Sequence, residues 1–205
     1  MGRKASPKNR NTNLAKKKAL AEQAVPFFQS HGLRAITMDE VAQYIGKSKA
    51  TIYKYFSTKE EIISLVISNR LAIIKQFELI LHNTDLPYLD RYTNSVQHLY
   101  AHIGDISNLF LADLKALYPH LWQSINAFID YVGELLRAYY TEGIHQKVFK
   151  PIHPSILVLS DSLFLNALSD PDFLIPNNLS LQQAYDQYFT LKFTGIIYDA
   201  HLPSK

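Results

Sequence analysis

The chain contains no cysteine among its 205 residues. Disulfide bonds, thiol catalysis and cysteine-ligated metal sites are therefore excluded, and the composition fits a reducing cytoplasm. Long apolar segments are absent too: the longest, residues 156–168, contains Asp161 and Asn166 and is too short to span a bilayer. The first dozen residues are polar and basic, without the apolar core of a secretory signal. We therefore expect a cytoplasmic protein.

Charge is divided unevenly along the chain. Residues 1–60 carry twelve Lys or Arg and four acidic residues, a net charge of +8. Residues 61–205 carry nine Lys or Arg and fourteen acidic residues, a net charge of −5. A polyanion such as nucleic acid would therefore be attracted to the N-terminal part. Basic termini also occur as purely solubilising segments, so the charge alone does not decide between these interpretations.

Apolar residues recur at helical spacing throughout, and no strand pattern is present, which predicts an all-α fold of about nine helices. Residues 1–12 are interpreted as a basic flexible arm, followed by a helix from about Leu14 to Ser30 that Gly32 ends. After three punctuated helices near residues 37–81, the periodicity predicts five more. They span about 86–103, 106–117, 120–145, 154–169 and 181–200, with a loop at 170–178.

The first two short helices have clear boundaries. Thr37 and Glu40 have the spacing of a capping box, and Gly46 ends the helix that they begin. Ser48 is placed to cap a second helix that ends near Phe56. Two overlapping capping boxes at residues 57–61 then begin a longer helix to about Leu81.

Two helices of about eight residues joined by a turn containing glycine form a helix-turn-helix. Val41, Ala42, Ile45, Ile52 and Phe56 are placed to pack the two helices against each other. The second helix would then present its polar edge to the major groove of DNA, which is wide enough to admit a helix.

Residues 14–70 closely resemble the DNA-binding domain of the tetracycline-repressor (TetR) family. The matching segments are 24–28, His31-Gly32, 37–42, Ile45-Gly46, 48–56 and 59–61. Three positions depart from the family pattern: Ala50 stands where glycine is usual, Lys47 replaces an apolar turn residue, and Pro26 lies inside the first helix. The resemblance implies a three-helix DNA-binding domain (13–60) joined by a long helix to a helical-bundle domain for effector binding and dimerisation (61–205).

The resemblance also implies roles for individual residues. Phosphate contacts would come from Thr37, Ser48, Tyr55 and Lys59. Base edges would be read by Lys49, Thr51 and Tyr53, with Ala50 allowing close approach and Lys54 serving either role. The basic arm could reach the minor groove or only raise non-specific affinity.

For the second domain the resemblance implies a ligand pocket and a dimer interface. The candidate ligand-binding residues are Tyr92, Val96, Leu99, Phe110, Leu114, Trp122, Ile125, Phe128 and Phe164. The candidate dimer residues, on the last two long helices, are Ile156, Leu159, Leu163, Tyr185, Phe189 and Phe193. Both sets have the spacing of ordinary core as well. Phe77 or Leu81, at the end of the linking helix, would transmit motion between the domains.

These expectations combine into a homodimeric repressor that a small apolar or aromatic effector releases from a palindromic DNA operator. The alternative is an architectural or cell-division protein of the same fold, with a protein partner and no effector; a filled core would favour it. The sequence shows no constellation of an enzyme and implies no cofactor. No metal site is expected, because the spacings of His98, His102 and His120 with Asp105 or Asp113 fit no metal signature.

Overall fold

The computed structural model describes the backbone of residues 7–198 and the side chains of residues 13–198. Eleven α-helices account for most of this range. They are α1 (Pro7–His31), α2 (Met38–Tyr44), α3 (Lys49–Tyr55), α4 (Lys59–Ile74), α5 (Phe77–Leu81), α6 (Tyr88–Ile103), α7 (Asn108–Leu117), α8 (Pro119–His145), α9 (Pro154–Ser169), α10 (Pro171–Leu174) and α11 (Leu181–Ile196). Extended pairing in the same range is limited to one antiparallel bridge between Phe149 and Ile197. The predicted all-α class is confirmed, and no helix in the described range has the length and hydropathy to cross a membrane.

Helix α1 begins at Pro7 rather than near Leu14, so residues 7–12 belong to a helix and not to a flexible arm. Proline is well tolerated at the first helical position because its missing N–H would have no helical partner there. No glycine or second proline separates it from Leu14, so nothing interrupts the helix. The rest of the predicted arm, residues 1–6, lies outside the described residues.

The long helix predicted to reach Leu81 is interrupted after Ile74. At the break, the carbonyl of Ile73 accepts a hydrogen bond from the backbone N–H of Gln76 at 3.0 Å. The same carbonyl accepts a second hydrogen bond from Nε2 of His98 in α6, at 2.8 Å. In a regular α-helix the Ile73 carbonyl would accept a hydrogen bond from the backbone N–H of Phe77. Here the N–H of Gln76, one residue earlier, and the His98 side chain take that place. Local periodicity does not contain this information, because the donor lies on another helix.

The loop predicted at 170–178 contains the short helix α10. Asp170 caps it by accepting a hydrogen bond from the backbone N–H of Asp172 at 2.9 Å, and Pro171 occupies its first position. Helix α11 ends at Ile196, earlier than the predicted residue 200, because Ile197 is extended and pairs with Phe149. The other predicted helices are found within about two residues of their expected bounds.

Helices α8, α9 and α11 are joined by a buried charged cluster. Asp161 of α9 forms an ion pair with Lys192 of α11, and both side chains are almost fully buried. The same carboxylate accepts hydrogen bonds from the hydroxyls of Tyr140 at 2.7 Å and Tyr188 at 2.8 Å. Burial lowers the pKa of the Lys192 ammonium, and the Asp161 charge opposes that shift. The cluster gives a buried carboxylate the partners that its desolvation requires.

Candidate nucleic-acid interface and ligand cavity

The sequence-predicted caps set the ends of helices α2 and α3. The hydroxyl of Thr37 accepts a hydrogen bond from the backbone N–H of Glu40 at 3.3 Å, and the Glu40 carboxylate accepts one from the Thr37 N–H at 2.8 Å. The hydrogen bond from the Thr37 N–H, together with one that the Thr37 hydroxyl donates to the same carboxylate, lowers the pKa of Glu40. The Ser48 hydroxyl accepts from the N–H of Thr51 at 3.1 Å. The expected capping box and the expected serine cap are both confirmed.

Buried apolar residues fix α3 against α2 and the neighbouring helices. Ile52 and Phe56 lie in the core with Val41 and Ala42, whereas Ile45 is partly buried. With this side of α3 covered, its opposite side faces solvent. The exposed residues among those expected to contact DNA are Thr37, Ser48, Lys49, Ala50, Tyr53 and Lys54. Thr51 and Tyr55 are partly buried.

Two of these side chains already have partners on the protein surface. Lys49 is ion-paired with Asp39 of α2, which raises the pKa of the lysine. Both side chains are exposed, so the pair is open to competition from phosphate or a base edge. The Thr51 hydroxyl lies 2.8 Å from the Ser48 hydroxyl.

Lys59 lies where the resemblance implies a phosphate contact, but its ammonium is turned toward the protein. It donates to the backbone carbonyl of Ile36 at 2.6 Å and to that of Leu33. Burial lowers the pKa of this lysine, while Asp113 and Glu40 oppose the shift. Without DNA, Lys59 therefore braces the start of α4 against the segment linking α1 to α2, and its phosphate contact stays a prediction.

A cavity lies between α4, α5, α6, α7, α8, α9 and α11. Its volume is about 140 Å³, and its walls are mostly apolar. Seven of the nine expected ligand-binding residues line it: Tyr92, Val96, Leu99, Phe110, Trp122, Ile125 and Phe128.

Helix α7 connects this cavity to the helix-turn-helix. Phe110 and Leu111 face the cavity, whereas Asp113 faces the segment between α1 and α2. The Asp113 carboxylate accepts hydrogen bonds from the backbone N–H groups of Leu33 at 2.7 Å and Arg34 at 2.9 Å. A movement of α7 would therefore act directly on the segment that leads into α2.

The first turn of α7 is also attached to α1. The Ser107 hydroxyl donates to the backbone carbonyl of Gln29 at 2.7 Å. The Ser107 backbone N–H donates to the Gln29 side-chain oxygen, also at 2.7 Å. The N-cap and the middle of α7 thus hold neighbouring parts of the DNA-binding region.

Comparison with known proteins agrees with this arrangement. Residues 20–66 match the family model of the bacterial regulatory proteins of the tetR family. An uncharacterized HTH-type transcriptional regulator of Bacillus subtilis, YvaF, is 25% identical over 80% of this chain and 87% of its own length. A TetR-family regulator from Marinobacter aquaeolei has a TM-score of 0.70 at 19% identity, covering 90% of this chain and 92% of that chain.

Residues 20–66 therefore belong to the tetR family of bacterial regulatory proteins. The chain is therefore a DNA-binding regulator, and the family's members are not enzymes. The biofilm operon icaADBC HTH-type negative transcriptional regulator IcaR of Staphylococcus epidermidis is a further relative. It is 22% identical over 74% of this chain and 77% of its own length.

In this regulator two expected ligand-binding residues lie away from the cavity wall. Leu114 is fully buried in the core beside it, one turn beyond Phe110 on α7. Phe164 is 48% exposed on the outer side of α9, and its ring stacks on that of Tyr188 with centroids 5.1 Å apart. Its neighbour Leu165 lines the cavity instead, because adjacent helical residues point about 100° apart.

The expected dimer residues divide between surface and interior. Ile156, Leu159 and Leu163 form an exposed apolar row on α9, at 58%, 53% and 60% exposure. On α11, however, Tyr185 and Phe189 are 6% and 8% exposed and line the cavity. Phe193 is partly buried, with its ring 4.8 Å from that of Tyr92. The α11 stripe therefore packs inside the protomer, which corrects its assignment to the interface.

The histidines considered for metal binding do not converge on one site with the acidic residues. The rings of His98 and His102 are tilted by 46° with centroids 4.5 Å apart, and both rings are hydrogen-bonded to backbone carbonyls. His120 lies 3.1 Å from Glu60, and Asp113 is bound to the segment before α2. In the part of the chain that the structure describes, no three potential ligands converge.

Sequence reasoning missed several residues that join these parts: Gln29, Ser107, Asp113, Asp161 and Lys192. Their hydrogen bonds and ion pairs connect residues from 21 to 80 positions apart. The only local signal was the presence of Asp161 and Lys192 within otherwise apolar helical stretches, since charged residues are rarely buried without a partner.

Proposed function

We propose that this regulator is a homodimeric repressor that binds a palindromic operator and is released by an apolar effector held in the cavity. The observation that carries the proposal is the placement of α7, which lines the cavity with Phe110 and holds the segment before α2 with Asp113. Residues 13–60 would form the DNA-binding domain and residues 61–205 the effector-binding and dimerisation domain.

The exposed side of α3 is the surface that would enter the major groove. Thr51, Tyr53 and Lys49 would read base edges, with Ala50 allowing close approach and Lys54 contacting either a base or a phosphate. The remaining phosphate contacts would come from Thr37, Ser48, Tyr55 and Lys59, which fix the register of the protein on the duplex. The positive charge of residues 1–60 adds sequence-independent attraction.

The apolar row of α9 supports dimerisation. Leu159 and Leu163 lie one helical turn apart, and Ile156 extends the same surface. Three large aliphatic side chains more than half exposed on one helix are costly to leave in water, and a second copy would cover them. A two-fold dimer would place two α3 helices at half-sites about one turn of DNA apart, or a multiple of that spacing.

The cavity favours the effector-responsive repressor over the architectural alternative, which calls for a filled core. An effector that occupies it would press on Phe110 and Leu111 of α7 and on Phe77 of α5. The strain would reach the helix-turn-helix through Asp113. If the effector binds more tightly to a conformation in which α7 is displaced, it would raise the population of that conformation. Operator affinity would then fall.

Selection of bound duplexes from a random DNA pool tests the proposal. We expect an enriched palindrome, with half-site centres about 10 base pairs apart or a multiple of that. Sedimentation should give a dimer, and a reporter gene behind the selected operator should be repressed. Enrichment of a single half-site without symmetry, or activation of the reporter, would contradict the proposed dimer or its repressor role.

A further inference from the structure

We propose that the cavity selects uncharged apolar ligands, and that Asp105 is the residue that prevents carboxylates from binding there. The inference rests on the proposed function, because it concerns the chemical class of the effector. It comes from the bonds that Arg70 and most hydroxyls of the cavity wall already make within the protein.

Arg70 of α4 is the cationic residue of the cavity wall in the described range. Its Nη1 donates to Oδ1 of Asp105 at 2.8 Å, and its Nη2 donates to Oδ2 at 2.9 Å. Nη1 also donates to the backbone carbonyl of His102 at 2.8 Å, at the C-terminal end of α6. A bidentate carboxylate therefore neutralises the guanidinium that would otherwise attract an anionic ligand.

Three hydroxyls of the wall, those of Ser95, Ser169 and Tyr185, are also engaged within the protein. Ser95 donates to the carbonyl of Arg91 at 2.7 Å, and Ser169 donates to that of Leu165 at 2.7 Å. The Tyr185 hydroxyl lies 2.6 Å from the Ser169 hydroxyl. These groups have satisfied their main hydrogen-bonding needs without a ligand.

Two further polar groups complete the wall. The Tyr92 hydroxyl has no hydrogen-bond partner among the described residues, but it is fully covered and so out of reach of a ligand in the cavity. The indole N–H of Trp122 also has no acceptor in the described range. It can serve a ligand hydroxyl or carbonyl, which fits an uncharged molecule with one polar atom.

An anionic ligand would meet an unfavourable environment. The guanidinium retains an Nε–H and an Nη2–H without an acceptor in the described range, so a second carboxylate could be placed beside it. The site would then hold two negative charges around one positive charge, with the ligand carboxylate on the mostly apolar cavity side of Arg70 and the half-exposed Asp105 on the other. Transfer of a carboxylate from water to such a place is costly unless its charge is compensated. Asp105 therefore disfavours the binding of carboxylates, whereas the apolar contacts between ligand and cavity stay the same.

Competition against the neutral fluorescent probe N-phenyl-1-naphthylamine tests the inference, with decanol and decanoate as matched competitors on the full-length protein. At about pH 8 a carboxylic acid is fully ionised. For the wild type we expect decanol to displace the probe at a concentration at least about tenfold below that needed for decanoate. In Asp105→Asn the ratio should fall to about one or below, since Arg70 is then free to pair with the acid. Asp105→Glu keeps the charge and should keep the wild-type ratio.

Each result of this experiment either supports or overturns the proposed role of Asp105. Retained probe binding by Asp105→Asn would show that the cavity is intact, so a changed ratio reports charge. Equal competition by decanol and decanoate in the wild type, or an unchanged ratio in Asp105→Asn, would overturn the role of Asp105 and leave the effector cavity standing. If neither the probe nor either competitor bound the wild type, the proposed effector site would fall together with this inference.

Discussion

The carboxylate of Asp113 in α7 accepts a hydrogen bond from the backbone N–H of Leu33 at 2.7 Å. Leu33 follows Gly32, whose positive φ of 72° turns the chain from α1 toward α2. A β-carbon at residue 32 would lie only 2.5 Å from an oxygen of Asp113, so glycine is needed there for space as well as for conformation. The turn that begins the helix-turn-helix is thus fitted to a residue of the cavity-lining helix.

Asp113→Ala should weaken operator binding and its response to effector. The backbone N–H groups of Leu33 and Arg34 would lose a charged acceptor, and the free energy of unfolding should fall by about 2–4 kcal/mol. Operator affinity, measured by fluorescence anisotropy, should fall because the position of α2 is less restricted. Asp90→Ala, which removes an exposed acid of α6, is the matched control. Unchanged affinity and stability in Asp113→Ala would refute the proposed link.

Two substitutions on α3 should separate base reading from phosphate binding. Thr51→Ala should mainly relax base preference, whereas Tyr55→Phe should weaken binding to all sequences by about 1 kcal/mol through loss of one hydroxyl contact. Binding to the selected operator and to scrambled duplexes, over a range of salt concentrations, distinguishes them. Tyr131→Phe, on α8, controls for removal of a tyrosine hydroxyl. Our placement of α3 on the DNA is wrong if Tyr55→Phe leaves both duplexes bound as before.

Leu163→Glu should convert the dimer to a monomer. The glutamate would place a charge within the apolar row that we assign to the partner surface, where its desolvation has no compensation. Sedimentation velocity should show the change, and operator affinity should fall because one helix-turn-helix makes fewer contacts. Leu79→Glu is a matched control, because Leu79 is 76% exposed on α5 and outside that row. A dimeric Leu163→Glu protein would remove α9 from the interface.

Lys192→Met should destabilise the protein more than the double substitution Asp161→Asn with Lys192→Met. The single change leaves a buried carboxylate without its cation, which typically costs about 3–5 kcal/mol. In the double variant one of the two tyrosine hydroxyls, Tyr140 or Tyr188, can still donate to the neutral amide oxygen and the other can accept from the amide NH2 group, so much of the loss should be recovered. Urea unfolding of the wild type and both variants measures the difference. Equal losses in the two variants would mean that the charge of Asp161 is not the cause.

Much of the DNA-binding region followed from the sequence because its signals are local. The capping box of Thr37 and Glu40, the Ser48 cap and the positive φ of Gly46 each lie within a few residues of the boundary that they set. The same holds for the long helices of the second domain, whose apolar spacing and proline breaks gave their extents. A local hydrogen bond or a 3.6-residue period is fully contained in a short stretch of chain.

Tertiary structure alone decided which way several faces point and what they touch. Spacing could show that Tyr185 and Phe189 share a face, but only packing against α6 and the cavity showed that this face is internal. The break after Ile74 required His98 of another helix, and the hold on Leu33 required Asp113, 80 residues away. Such contacts depend on how helices are arranged in space, and no periodicity along one helix contains that arrangement.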